Sequence, residues 1–383
     1  MMNSVTLLQP QKIIFGEGVI EQLAGDSLIQ RAQTVLFLVA PPLVPILEGI
    51  IQSSKFSNKQ VKLVAYRFLG EPTFSQFNLL LDEHKALKPD CVVGVGGGSV
   101  LDCAKLLAAL INHSQKLEDI VGMGLLHDRK THLICVPTTS GTGSEVSPNA
   151  ILLDEETQAK RGIISPFLVP DACYLDPVLT VTLPPKLTAE TGIDALSHCI
   201  EAYTNKFAHP TVDIYALKGI SLIAEYIQEA FENGSNMNAR SAMLLGSMYG
   251  GLCLGPVNTA AVHALSYGLG GKFHIPHGLS NAILMPKVLK FNMSASLKRH
   301  ADVARALGIT ISGTDKEVAL AGINKIERLS KACQIPQRLT EIGVTEDDIP
   351  ELATIAMNVT RLLKNNPREV SREDTINIYK NIL

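Results

Sequence analysis

The 383-residue chain has no tryptophan, only 5% aromatic residues and no surplus of either charge. Its 34 Lys and Arg stand against 37 Asp and Glu, a formal net charge of -3. Without a basic surplus there is no electrostatic footprint for nucleic acid. At 46% apolar residues and low net charge the composition also excludes a disordered chain. CxxC pairs are missing as well. The seven cysteines stand singly at 91, 103, 135, 173, 199, 253 and 333. That argues against a disulfide framework or a zinc knuckle and fits a reduced, cytoplasmic protein. The N-terminus has no basic stretch followed by an apolar one, so no signal peptide is expected. The longest apolar run, residues 34–51, is interrupted by Pro41, Pro42, Pro45 and Glu48. It reads as strand, turn and helix start, and no membrane span is expected. At roughly 150 residues per domain, the length predicts two domains.

What is present alternates in the first half. Strand candidates at residues 12–15, 34–40, 61–68, 91–95, 132–136, 151–154 and 172–176 are separated by periodic apolar stretches such as 43–51 and 77–86. Alternation of this kind predicts βαβ units and a mostly parallel sheet. The run CVVGV hardly alternates, as expected for a strand covered on both faces. Beyond residue 176 the texture changes. Pro177, Pro184 and Pro185 punctuate a short segment, after which helical spacing dominates, with candidates at 187–203, 211–231, 239–254, 259–269, 297–307 and 317–332. The expected division is therefore an α/β domain over residues 1–180 and an all-α domain over 181–383.

Two loops in the α/β half carry donors. The strand CVVGV runs into Gly96, Gly97, Gly98 and Ser99, then into a helical segment. Glycines at a strand-to-helix turn let the backbone approach a ligand, and the helix N-terminus favours phosphate. Ser99 and Asp102 have the S-x-x-D spacing of a capping box. A tight turn with a well-capped helix accounts for the same residues. The pattern is not G-x-G-x-x-G, because Ser99 replaces the third glycine. After the strand HLICVP comes TTSGTGSE, including Thr138, Thr139 and Thr142. These small residues cannot build a core, but they offer hydroxyl and N–H donors at the carboxyl end of a strand. Together the two loops point to a nucleotide cleft.

In the helical half, Asp194 and His198 are four apart and share a helix face. His263 and His277 follow downstream. One carboxylate and three imidazoles suit Fe(II) or Zn(II) better than Mg(II) or Ca(II). Each histidine alone is more often a core or surface residue than a ligand, and spacing leaves His209, His274 and His300 open as ligands. His84, His113, His127 and His132 lie near polar turns and are expected to be solvated. Ser99, Ser140 and Cys199 have no motif pairing them with a base, so no covalent nucleophile is expected.

The segments GGGSVLDCAK (96–105), PTTSGTGSEVS (137–147), LDPVLTVTLPPKLTAETGIDALSHCIEAY (175–203) and VHALSYGLGGKFHIPHGLSNAILMP (262–286) occur in this order along almost the whole chain. In them the chain resembles the iron-containing (group III) alcohol dehydrogenases. The resemblance implies a Rossmann-like dinucleotide-binding α/β domain followed by a helical one, the dehydroquinate synthase-like architecture, with the active site between them. It implies a metal held by Asp194, His198, His263 and His277. It implies cofactor contacts from Gly96, Gly97, Gly98, Ser99, Asp102, Thr138, Thr139, Thr142, Lys160 and Leu179. Asn149 matches a position beside nicotinamide and substrate. The implied reaction is reversible hydride transfer between a primary alcohol, or an ω-hydroxy acid, and its aldehyde. The implied cofactors are NAD or NADP with Fe(II), or else Zn(II), in a homodimer.

Two departures qualify that expectation. Family members often have Asp after the strand at 34–39, where it holds the adenosine ribose; Ala40 stands there, which removes one reason to exclude NADP. Four residues after His263, many members carry a proton-relaying histidine, and here Tyr267 stands instead. A phenol's ordinary pKa of about 10 makes it a poor acceptor at neutral pH, which leaves Tyr267 or His274 to handle the proton. Relatives that reduce maleylacetate, and dehydroquinate synthases, share the architecture. The latter grip a phosphate-bearing substrate with several basic residues, whereas this chain offers only Lys272 and Lys287 near His263 and His277. A non-catalytic nucleotide- and metal-binding protein is the remaining alternative.

Overall fold

The computed structural model describes residues 4–157 and 159–383. They form two compact units, one of residues 8–139 and 143–180, the other of residues 4–7, 140–142 and 181–383. In the first unit a six-stranded sheet is built from β1 (Lys12–Phe15), β2 (Thr34–Val39), β3 (Gln60–Ala65), β4 (Cys91–Gly96), β6 (His132–Pro137) and β9 (Ala172–Leu175). The order is β1-β9-β6-β4-β2-β3 and every pairing is parallel. A smaller sheet joins β5 (Gly122–Met123), β8 (Ala159–Ile164) and β7 (Asn149–Asp154). Helices α1 (Ser27–Arg31), α2 (Val44–Ile51), α3 (Phe74–His84) and α4 (Gly98–Leu110) connect the strands.

All seven expected strands form. The inner strands β2, β4, β6 and β9 are apolar because they are covered on both faces; β4 is buried at every position. Strands β5 and β8 escape a period-based reading. The sequence of β8, AKRGII, carries Lys160 and Arg161 and draws its stability from antiparallel pairing with β7. From β2 the chain steps outward to β3, then back to the other side of β2 as β4. That reversal makes the carboxyl ends of β2 and β4 the topological switch point, where open α/β sheets take ligands. Ala40 and the glycine turn stand there, joined by a hydrogen bond from Ala40 N to Val95 O of 2.8 Å.

The second unit contains α5 (Pro185–Thr204), α6 (Pro210–Glu232), α7 (Met237–Leu254), α8 (Ala261–Phe273), α9 (His277–Asn292), α10 (Leu297–Ala306), α11 (Asp315–Ala332), α12 (Ile349–Asn358), α13 (Thr360–Leu363) and α14 (Arg372–Lys380). No strand occurs among its described residues. Pro185 starts α5 at its first turn, where a missing N–H costs nothing. One apolar cluster runs through the unit, from Ala189 on α5 to Tyr379 on α14. Among the described residues no helix is long and apolar enough to cross a membrane.

Two expectations are corrected. Ser99 and Asp102 do not form a capping box: α4 begins at Gly98, its cap residue is Gly97, and no side chain caps it. Both residues find partners outside the helix instead. Ser99 Oγ donates to Gly70 O at 2.9 Å, and Asp102 accepts from Ser144 Oγ at 2.5 Å and Ile151 N at 2.9 Å. His113 is not solvated. Gln115 draws the chain back by bonding Leu125 O and His127 N, and the His113 ring, 7% exposed, lies 2.6 Å from Asp128.

Close helix-on-strand packing sets the glycine turn. A Cβ at Gly94 would lie 2.6 Å from Ala104 Cβ on α4, nearer than carbon atoms pack. Gly94→Ala is therefore expected to destabilise the protein by about 1–3 kcal/mol through overpacking, read as a lower urea midpoint with an unchanged slope; an unaltered midpoint would contradict this packing.

Candidate metal centre and nucleotide loops

Helix α5 carries Asp194 and His198 one turn apart, both buried. Helix α8 brings His263, also buried, and His277 opens α9. The Nε2 atoms of His198, His263 and His277 lie 3.8, 3.6 and 3.9 Å from Asp194 Oδ1. One donor atom each from Asp194, His263 and His277 falls within 4.8 Å of the others, a spacing that can hold a metal ion. The His198 and His263 rings stack with centroids 4.8 Å apart, and His277 meets His263 edge-on at 5.1 Å. His277 is the most open of the four, with 27% of its side chain exposed.

Close backbone approach keeps these elements together. A Cβ at Gly278 would sit 2.4 Å from Glu190 O, so the start of α9 lies directly on the backbone of α5. Two residues absent from the sequence-based expectation complete the cluster. Glu201, buried on α5, accepts from His263 Nδ1 at 2.5 Å and from Val262 N at 2.7 Å. Asn281 Nδ2, on α9, lies 2.7 Å from Asp194 Oδ1 and 3.1 and 3.2 Å from the Nε2 atoms of His263 and His277. Their signal was in the spacing: 194, 198 and 201 follow the i, i+4, i+7 rule of one helix face, and 281 is one turn after 277.

The electrostatics follow from burial and charge. Burial alone would raise the Asp194 carboxyl, but the three histidines hold it well below the usual carboxylate range. Burial pushes His198 down against the pull of Asp194. Burial also disfavours charged His263, yet the carboxylates of Asp194 and Glu201 outweigh it and raise the ring to about 9. The two buried rings thus move in opposite directions: Asp194 and then Glu201 hold His263 up, whereas His198 lacks a bonded carboxylate and is also opposed by the charge of His263. One carboxylate oxygen and three imidazole nitrogens, with a second carboxylate behind, form a donor set and charge suited to a divalent borderline metal.

The other histidines left open by spacing stand elsewhere. His209 caps α6 by accepting from Thr211 N. His300 is buried on α10, its Nδ1 3.0 Å from Ser296 Oγ. His274 is exposed and closes α8 in the left-handed region, with φ at 54°. Tyr267 is half-buried against the helical core.

In the α/β unit the two donor loops touch. Thr138 N donates to Gly96 O at 3.0 Å, and a Cβ at Gly97 would lie 3.2 Å from Thr139. The TTSGTGSE segment is largely buried rather than a surface loop. Its organiser within this unit is Lys105, a residue the sequence reading passed over. Fully buried, its Nζ reaches Ser144 O at 2.9 Å, Ser147 O at 2.8 Å and Asn149 O. Lys160, also buried, pairs with Glu71. Leu179 lines a cavity of about 530 Å³ together with Ile20, Ile46, Ile50 and Val178. In the helical unit, Gly141 packs on Thr191, where a Cβ would lie 2.7 Å from Thr191 Cβ.

Residues 10–177 match the family model of iron-containing alcohol dehydrogenase, and residues 188–383 match the C-terminal model of the Fe-containing alcohol dehydrogenase family. The chain is 35% identical over 386 residues to long-chain-alcohol dehydrogenase 1 of Geobacillus thermodenitrificans, covering 99% of this chain and 97% of that one. It is 37% identical over 377 residues to 1,3-propanediol dehydrogenase of Klebsiella pneumoniae, covering 97% of each. The crystal structure of a 1,3-propanediol oxidoreductase superimposes with a TM-score of 0.93 at 30% identity over 100% of both chains.

Glu145 supplies a pH test of the buried loop. Burial pushes its carboxyl from an ordinary 4.5 up to about 7, against its own backbone N–H and Lys105. The folded protein therefore holds this proton more tightly than the unfolded chain. The stability cost is absent at low pH, grows as pH rises from 4.5 to 7 and is complete above. Glu145→Gln is expected to raise the urea midpoint at pH 8 and to leave it nearly unchanged at pH 4; an equal effect at both would contradict the burial of this carboxyl.

Proposed function

The chain belongs to the iron-containing alcohol dehydrogenase family, and on that premise we propose how its residues divide the work of a metal-dependent oxidoreductase that interconverts alcohols and aldehydes. The observation that carries the reading is the convergence of Asp194, His198, His263 and His277. These four hold Fe(II), with Zn(II) acceptable to the same donors. The α/β unit takes NAD. Within this unit Gly96, Gly97, Gly98 and Ser99 would hold its pyrophosphate, with Thr138, Thr139 and Lys160 as further contacts. The cavity at Leu179 would hold its base. Asp102 acts from beneath, holding Ser144 and the start of β7.

Bound iron supplies Lewis acidity that lowers an alcohol's pKa and stabilises negative charge on oxygen, and the nicotinamide accepts or gives hydride. The protein's part is orientation and proton handling. Asn281 keeps Asp194 aimed by donating to it. Asn149 would orient substrate. A proton passes between substrate and solvent by way of Tyr267 or exposed His274. Primary alcohols and ω-hydroxy acids are the proposed substrates. A phosphate-bearing substrate fits poorly, because Lys272 is already engaged by Asp348 and Glu351, and Lys287 by Glu327.

Ala40 follows β2 at the switch point without a carboxylate to repel a 2′-phosphate, so we read the site as tolerant of NADP. Seven buried, unpaired thiols accord with a reducing, cytoplasmic setting, and a homodimer is the proposed assembly.

His263→Ala and His277→Ala are each expected to lose bound iron and nearly all turnover while still binding NADH, measured by metal analysis, steady-state assay and NADH fluorescence. Full turnover in metal-stripped protein would refute the role of the metal. Initial rates with NADH and NADPH at equal subsaturating concentrations should lie within about tenfold, under about 1.4 kcal/mol of discrimination; a larger bias against NADPH would refute tolerance.

A further inference from the structure

We propose that Glu201 is a positioning residue of the metal centre: its one carboxylate sets the ring state of His263 and the start of α8 together, and so sets how tightly the site holds a divalent metal. The inference rests on the metal-centre reading above and extends it to a residue outside the ligand set.

Glu201 is 3% exposed, a costly place for a carboxylate unless each oxygen is bonded. Both are. Oε2 lies 2.5 Å from His263 Nδ1, and Oε1 receives Val262 N at 2.7 Å. The first contact selects a ring form. A carboxylate accepts only, so at that distance Nδ1 carries the hydrogen. A lone pair on Nδ1 would face the oxygen's own. With Nδ1–H engaged, the neutral ring keeps its lone pair on Nε2, the nitrogen that lies 3.1 Å from Asn281 Nδ2 and 3.6 Å from Asp194 Oδ1. The carboxylate also makes the ring a stronger donor to a metal.

The second contact concerns the helix. The residue before α8, Ala260, has no side chain to cap it, and the first N–H groups of a helix need acceptors. Glu201 supplies one from α5, placing negative charge at a helix N-terminus where it is favoured. Helix α5 also carries Asp194 and His198. One side chain therefore fixes the register of the helix bearing His263 against the helix bearing two other ligands. Asp194 and Glu201 together bring two negative charges, which a divalent cation balances.

The test is metal affinity in the whole protein. Fe(II) is titrated against a competing chelator in wild type and in Glu201→Gln, with NADH binding by fluorescence as a check on folding. The variant is expected to hold Fe(II) about 10- to 100-fold more weakly, the usual cost of losing such a partner, with NADH affinity unchanged. Equal Fe(II) affinity in the two proteins would overturn the role of Glu201 while leaving the metal centre intact. A wild type that binds no divalent metal would overturn the centre itself. A second measurement needs no variant. In zinc-loaded protein labelled with ¹⁵N-histidine, one imidazole should show a strongly hydrogen-bonded proton on Nδ1 and none on Nε2, assigned to His263 by its proximity to the Val262 amide proton, which is bound by the same carboxylate. A His263 protonated on Nε2 would overturn the proposal even if Glu201→Gln failed to fold.

Discussion

A carboxylate buried without water must be given partners, and in this protein that requirement organises the helical half. Asp194 lies in the interior of a long helix, where an isolated charge is prohibitively costly. Three imidazoles and the Asn281 amide are gathered around it from three helices. Each is held by an ordinary packing device: Pro185 at the start of α5, the Glu201 contact at the start of α8, a glycine at the start of α9. The site is thus not an addition to the helical core. It is the polar node around which that core closes.

The α/β unit solves a related problem with the opposite sign. Lys105 is a buried ammonium, and burial pulls its proton affinity down. Its charge is spread over carbonyl and hydroxyl oxygens of the segment that follows β6. A run of small hydroxylated residues has little intrinsic reason to adopt one conformation. A single cation beneath it gives the backbone a common point of attachment. Asp102, one turn earlier on α4, anchors Ser144 from the same side. Order in the loop is thus imposed from the helix below it.

The strands of the main sheet were legible because two-sided burial leaves an apolar run, as in β4, and the long helices were legible from their period. The clustered carboxylate and histidines were legible as residue types at a helical spacing, although spacing alone did not separate His263 and His277 from His209, His274 and His300. What separates them is tertiary: His209 is spent on a helix cap and His300 lies on α10. Strand β8 was not legible because its polar residues gain order only from pairing with β7. Ser99 and Asp102 misled because their local spacing fits a cap, while their partners are Gly70, Ser144 and Ile151, distant in sequence. Local rules fail there because long-range acceptors outcompete them. Lys105 was passed over for the same reason: nothing nearby in sequence announces that a lysine will be buried.

The contact at Gly278 has a consequence for how such a protein can diverge. With no room for a side chain between the start of α9 and the backbone of α5, residue 278 is closed to ordinary substitution, and the helix after it cannot slide. Its neighbour His277 is more exposed than Asp194, His198 or His263, so its surroundings are where new chemistry would be accommodated. Variation is thereby channelled toward side chains farther along α8 and α9. The rigid glycine contact lets the reaction stay constant while the molecules it acts on change.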